Sequence, residues 1–142
     1  MAYATIQDAK DRNGDDYVVR SVDRDGDGQV DTTALDAALA SASALVDSYL
    51  GKVLDVPLAN PSEQVVWITV DIALYRTSAD PDPYSEEKRK RYEDAIAWLE
   101  AVAAGDINPG DNVDNPVPPV GGGAKVRANP RVFTRDSLRG VL

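Results

Sequence analysis

Apolar residues recur at helical spacing in three stretches, and the residues between those stretches are turn formers. From Thr32 to Leu50, the positions Leu35, Leu39, Ala42, Val46 and Tyr49 lie three or four residues apart, which puts them on one face of a helix. Ala37, Ala38, Ala40 and Ala44 are strong helix formers whose small side chains permit close helix contact. Gly51 is the stop signal. From Gln64 to Tyr75 the chain is apolar almost all round, the pattern of a helix buried on most faces by its own domain or by subunit contacts. Asn60 reads as its cap and Pro61 as a first-turn residue. Asp71 is its polar exception, read as a partner for Arg76 or another base. The third stretch begins with Ser85 as cap, carries Glu86 and Glu87 in its first turn, and runs to about Ala104 before Gly105. Tyr92, Ile96, Leu99 and Val102 or Ala103 form its apolar stripe. Lys88-Arg89-Lys90-Arg91 reads as a solvated, ion-paired face rather than a nucleic-acid patch, because acids precede it, the total charge is negative, and Glu86–Lys90 and Glu87–Arg91 are i,i+4 pairs.

The two ends differ from this middle. Near the N-terminus, Thr5 reads as the N-cap of a short helix from Ile6 to about Asn13, with Asp8 near the positive end of its dipole and Gly14 as the stop. The residues from Asp15 to Arg20 fit a second short helix or a short strand, and period alone does not separate them. From Asp106 onward helical spacing lapses. Pro109, Pro116, Pro118, Pro119 and Pro130 fall here with Gly121-Gly122-Gly123, and such a segment builds no core of its own. Fully extended, residues 106–142 would reach roughly 120 Å. The expected fold is mainly α: a small bundle of three longer helices plus short N-terminal helices, residues 1–105. An extended C-terminal arm, residues 106–142, follows, with a short strand or helical turn near Val132.

Composition narrows the function. A chain of 142 residues, 43% of them apolar, is long enough for one domain with a core. It has no run of eighteen apolar residues that could span a membrane, and its start lacks the plan of a signal peptide. Cysteine and histidine are both absent, which removes disulfides, thiolate metal sites and the commonest general base. The net charge of −9 is uneven. Residues 125–139 hold Lys125, Arg127, Arg131, Arg135 and Arg139 against Asp136, a balance of +4 that leaves −13 on the rest. An acidic body is poorly suited to holding DNA phosphates. A basic end suggests that the arm finds an acidic surface, with Val126, Arg127, Arg131, Val132, Phe133, Arg135 and Leu138 as inter-subunit contacts.

One stretch concentrates chemistry. In Asp23-Arg24-Asp25-Gly26-Asp27-Gly28-Gln29-Val30-Asp31, acids fall at positions 1, 3, 5 and 9 of an EF-hand-like loop, with glycine at position 6. Asp23, Asp25, Asp27, the Gln29 carbonyl and Asp31 are the candidate Ca²⁺ ligands; no other cofactor is implied. Position 12 is Ala34 where a bidentate glutamate is needed. The competing reading is an acidic turn whose Asp31 caps the following helix. A hydrolase built on Asp23 and Asp27 would need a cleft that nothing in the sequence indicates.

The ordered set Met1-Ala-Tyr-Ala-Thr5, the acidic loop before an alanine-rich helix ending Asp47-Ser-Tyr-Leu-Gly51, Asp71-Ile-Ala-Leu-Tyr-Arg76, Arg91-Tyr-Glu-Asp-Ala95 and Arg131-Val-Phe-Thr-Arg-Asp-Ser-Leu-Arg-Gly140 resembles a family of small structural proteins of Mu-like tailed phages. More distantly it resembles the head–tail connector proteins of other long-tailed phages. The resemblance implies a non-enzymatic neck or adaptor protein of the virion, present in the host cytoplasm during assembly. It implies a homo-oligomeric ring, a dodecamer like the portal, that contacts the portal protein and the tail, tail-terminator or stopper proteins. DNA would pass through the ring without specific binding. The alternative function is a Ca²⁺-binding helical module that uses the acidic loop.

Overall fold

The computed structural model describes residues 1–77 and 84–110. Five helices follow in order: α1 (Ile6–Asn13), α2 (Asp15–Val22), α3 (Thr32–Leu50), α4 (Glu63–Arg76) and α5 (Ser85–Ala104). There is no strand among the described residues. The protein is mainly α, a small bundle of three longer helices with two short ones ahead of them. Val126, Arg127, Arg131, Val132, Phe133, Arg135 and Leu138, and the element expected near Val132, lie outside the described residues.

The stretch from Asp15 is a helix because Gly14 joins it directly to α1. At φ 85° Gly14 occupies a backbone region that a side chain disfavours. Its amide donates to the Lys10 carbonyl at 2.7 Å, and its carbonyl accepts from the Val18 amide at 3.2 Å. Thr5 and Asp8 form a reciprocal capping box at the start of α1.

Helix α4 is the centre of the bundle, packed against α1, α2, α3 and α5. Val65, Ile68, Val70, Ile72, Ala73 and Leu74 are buried on it, so its own domain accounts for most of the all-round apolar pattern. Trp67 and Tyr75 stay exposed, 39% and 37%. The α3 stripe is buried at Leu35, Leu39, Ala42 and Val46, with Leu50 added and Tyr49 half-buried. On α5, Leu99 and Val102 are buried with Ala95, while Tyr92 and Ile96 are half-buried against them. Each fully buried leucine contributes about 1.5–3 kcal/mol, so this interior holds the helices together without disulfides.

Three local expectations are corrected. Helix α4 is capped by Ser62, whose hydroxyl accepts from the Val65 amide; Asn60 and Pro61 lie before the cap. Helix α5 follows Tyr84, which gives no side-chain cap, and Ser85 is already its first residue. Lys88 is not on a solvated face: it is 2% exposed. Counting 88, 95, 99 and 102 shows why, since the spacings seven, four and three put Lys88 on the buried stripe. Its stem is packed inward, and its ammonium lies 6.0 Å from the Tyr17 ring centroid.

Two tethers close the body. Residues after α5 fold back so that Pro109 is buried and its carbonyl accepts from the Ser62 hydroxyl at 2.7 Å. At the other end Tyr3 is buried against α3. Its amide donates to Ser43 Oγ at 2.9 Å, and its hydroxyl donates to the Asp47 carboxylate and accepts from the Leu58 amide at 2.9 Å. Burial and then Asp47 push the Tyr3 hydroxyl up to about 12. The folded pKa is raised, so the stability this contact adds is present below pH 10.0 and is lost as the pH rises toward about 12. Tyr3→Phe leaves the Leu58 amide without its acceptor and is expected to cost about 1–3 kcal/mol in urea unfolding at neutral pH. An unchanged midpoint would contradict the tether.

Candidate functional site

Two clusters of charged side chains stand out. The first is the acidic loop between α2 and α3. Carboxylate oxygens of Asp23, Asp25 and Asp27 all lie within 4.8 Å of one another. Backbone amides bring them there. Asp23 accepts from Gly26 at 2.7 Å and from Gly28 at 3.0 Å, Asp25 accepts from Asp27 at 3.3 Å, and Asp27 accepts from Gln29 at 2.8 Å. Gly28, at φ 77°, supplies the turn expected of position six. Asp31 is not part of this convergence: its carboxylate accepts from the Ala34 amide at 3.0 Å and caps α3. Ala34, at position twelve, offers no side-chain oxygen. The three converging acids fit a hard cation, while the far half of the loop is a helix cap; the residues present fit half of an EF-hand-like set.

The amide of Gly28, aided by that of Gly26, holds the Asp23 carboxyl below its usual range. A folded pKa that is depressed means these bonds persist above the usual carboxylate range and are lost as the pH falls through the lowered value. The amide resonances of Gly26 and Gly28 should therefore titrate together with a midpoint below that of an ordinary aspartate. That titration should vanish in Asp23→Ala. A midpoint at the ordinary value would contradict the loop geometry.

The second cluster joins α1, α4 and α5. The side chain of Asp71, buried on α4, takes a hydrogen bond from Arg12 Nη2 at 2.7 Å and has Arg91 Nη1 3.8 Å from its other oxygen, which accepts no hydrogen bond. Arg91 also donates to Asn13 Oδ1 at 2.7 Å and pairs with Glu87. The Arg12 guanidinium lies 5.0 Å from the Trp67 ring centroid. Of the two expectations for Asp71, Arg76 or another base, the second holds: Arg12 and Arg91 meet it, while Arg76 donates to Ser41 Oγ at 2.6 Å on α3. Burial pushes the Asp71 carboxyl up, and Arg12 and then Arg91 pull it back.

Around this cluster the surface is concave. A groove of about 820 Å³ is lined by Asp8, Asp11 and Arg12 of α1 and by Pro61, Glu63, Val66 and Trp67 at the start of α4. A smaller hollow of about 330 Å³ shares Arg12 and reaches Asp71, Asp94 and Trp98. The sequence reading missed this site, because it is assembled from residues up to ninety positions apart; an aspartate inside an otherwise apolar helix was the signal that could have found it.

Comparison with known proteins adds a lineage. The family model described as "Bacteriophage Mu, Gp36" matches residues 3–128. Gene product J of Escherichia phage Mu is 32% identical over 140 residues, covering 95% of this chain and 96% of that protein. The Mu-like prophage FluMu protein gp36 of Haemophilus influenzae is 29% identical over 113 residues, covering 80% of this chain and 79% of the relative.

Proposed function

Because the chain belongs to the bacteriophage Mu Gp36 family, we propose that it is a structural protein of a Mu-like tailed-phage particle, placed in the neck as a head–tail connector. Copies assemble into a ring beneath the portal, twelve like the portal itself, extend the DNA channel and present a surface to the tail or its stopper and terminator proteins. The work is assembly, not catalysis.

The observation that carries this reading is the segregation of charge in a member of this family. The net charge is +4 over residues 125–139 and −13 over the remainder of a chain of −9. A basic strap and an acidic body attract when copies are brought side by side. An acidic wall repels DNA phosphates, so the duplex can pass without the lysine and arginine contacts that would hold it. The small helical body leaves Trp67 and Tyr75 each more than a third exposed, aromatic area suited to a partner. Antibody-gold labelling of particles from the phage that encodes this chain tests the placement: label at the head–tail junction is expected, and label on the capsid faces or the tail tip would overturn it.

A second reading rests on the convergence of Asp23, Asp25 and Asp27, which would let the loop take Ca²⁺. With Asp31 committed to the cap of α3 and Ala34 where a bidentate glutamate is needed, binding would be weak. Calorimetric titration with Ca²⁺, comparing the parent with Asp25→Asn, decides it; no heat at millimolar Ca²⁺ removes the reading.

A further inference from the structure

The groove beside Trp67 and the hollow beside Trp98 meet at Arg12 and together hold both tryptophans of the chain. Their basic lining residues, Arg12 and Arg91, are turned to Asp71. The remaining charge is acidic: Asp8, Asp11, Glu63 and Asp94. An apolar, acid-rimmed surface of this kind selects a cationic segment that carries an aromatic or branched anchor. An anionic partner such as DNA is repelled.

We propose that this groove is the docking site for residues 125–139 of the chain's own C-terminal segment. That segment alternates Lys125, Arg127, Arg131, Arg135 and Arg139 with Val126, Val132, Phe133 and Leu138, so it matches the groove in both charge and apolar content. Trp67 is 39% exposed although Arg12 covers it from one side, so it offers surface for Phe133 or a further guanidinium. The chain also leaves the described body at the right place. Gly110 packs against Ser62, where an added Cβ would lie 3.1 Å from the serine Cβ, and Pro61 and Glu63 on either side of Ser62 line the groove. The fourteen residues 111–124 span up to roughly 45 Å when extended. That length is enough for the segment to seat either on its own body or on an adjacent copy, and in the neck reading it seats on the adjacent copy. This inference deepens the neck reading, since it names the bond that would join adjacent copies, and it is tested apart from that reading.

The test uses the full-length chain with Trp98→Phe, so that Trp67 is the only tryptophan. Trp67 is expected to be shielded from acrylamide, a neutral quencher, and to be quenched at least twofold more strongly when Phe133→Ala is added or when salt is raised to 1 M. Quenching that neither change alters would overturn the inference. Because the chain has no cysteine, a second measurement fixes whose segment is seated. Under mild oxidation Asp11→Cys with Thr134→Cys is expected to cross-link at least tenfold faster than Asp25→Cys with Thr134→Cys, an equally acidic control site. Equal rates would also overturn the inference. Links between chains are the outcome that accords with the neck reading. Links within one chain only would leave the groove assignment standing and contradict the strap between copies.

Discussion

Arg12→Ala is expected to lower the stability of the helical body by about 2–3 kcal/mol, toward the lower end of the range for breaking a buried ion pair because the Arg12 side chain keeps 25% of its exposure. The change removes the 2.7 Å donor to Asp71 and leaves that carboxylate with Arg91 at 3.8 Å. Asp71→Leu should cost less, about 1 kcal/mol. It lifts the desolvation of a buried carboxylate, and the two arginines left behind retain water, with Asn13 and Glu87 still serving Arg91. The order of the two variants is therefore diagnostic. It also depends on pH. Burial raises the folded pKa of Asp71, so the folded state holds the proton longer than the unfolded chain, and stability falls as the pH rises from the ordinary aspartate range through the raised value. Loss of Arg12 removes the larger of the two charges that pull that value down. The Arg12→Ala defect should accordingly shrink on acidification. Urea unfolding followed by circular dichroism at pH 5 and pH 8 measures both effects, and equal defects for the two variants at both pH values would contradict the role of this cluster.

Removing residues 111–142 is expected to abolish assembly while the helical signal is retained. The cut spares the contacts that end the body, namely Pro109 against Ser62 and the Asp106 amide on the Ala101 carbonyl. It takes away the whole of the basic segment. The cut would thus remove the proposed attraction between copies and leave the core of any one copy, which rests on α3, α4 and α5. Light scattering should report a monomer mass for the truncated chain and a multiple of it for the parent. A truncated chain that still assembles would remove the strap from the account.

Much of the body was legible because its signals are local. Asp31 and Gly51 bound α3 on either side of a stripe at helical spacing, and the observed helix runs from Thr32 to Leu50 as read. Thr5 with Asp8 marked α1 in the same way. Where two local signals competed, the reading slipped. Asn60, Pro61 and Ser62 can all begin a helix, and Ser62 prevails because its hydroxyl reaches the Val65 amide and the Pro109 carbonyl. Lys88 was placed outside because it opens a run of four cations; the stripe phase that buries it was present in the same residues. The acidic loop held two readings at once: Asp31 caps α3, and carboxylate oxygens of Asp23, Asp25 and Asp27 lie within 4.8 Å of one another, an arrangement that does not by itself decide for an ion. The Arg12–Asp71–Arg91 cluster was not legible, because its members lie fifty-nine and twenty residues apart and no periodicity links them. A carboxylate in the middle of α4 demanded a base, and the sequence left the choice open between the nearby Arg76 and another; the bundle brings Arg12 and Arg91 close, while Arg76 turns to Ser41.

An acidic helical body and a cationic end on the same chain are proposed to join copies around a passage. Negative-stain electron microscopy of the purified full-length protein, paired with its solution mass, tests this most directly. Rings with an open centre and a mass near twelve chains are the predicted result; isolated monomers at micromolar concentration and low salt would contradict it.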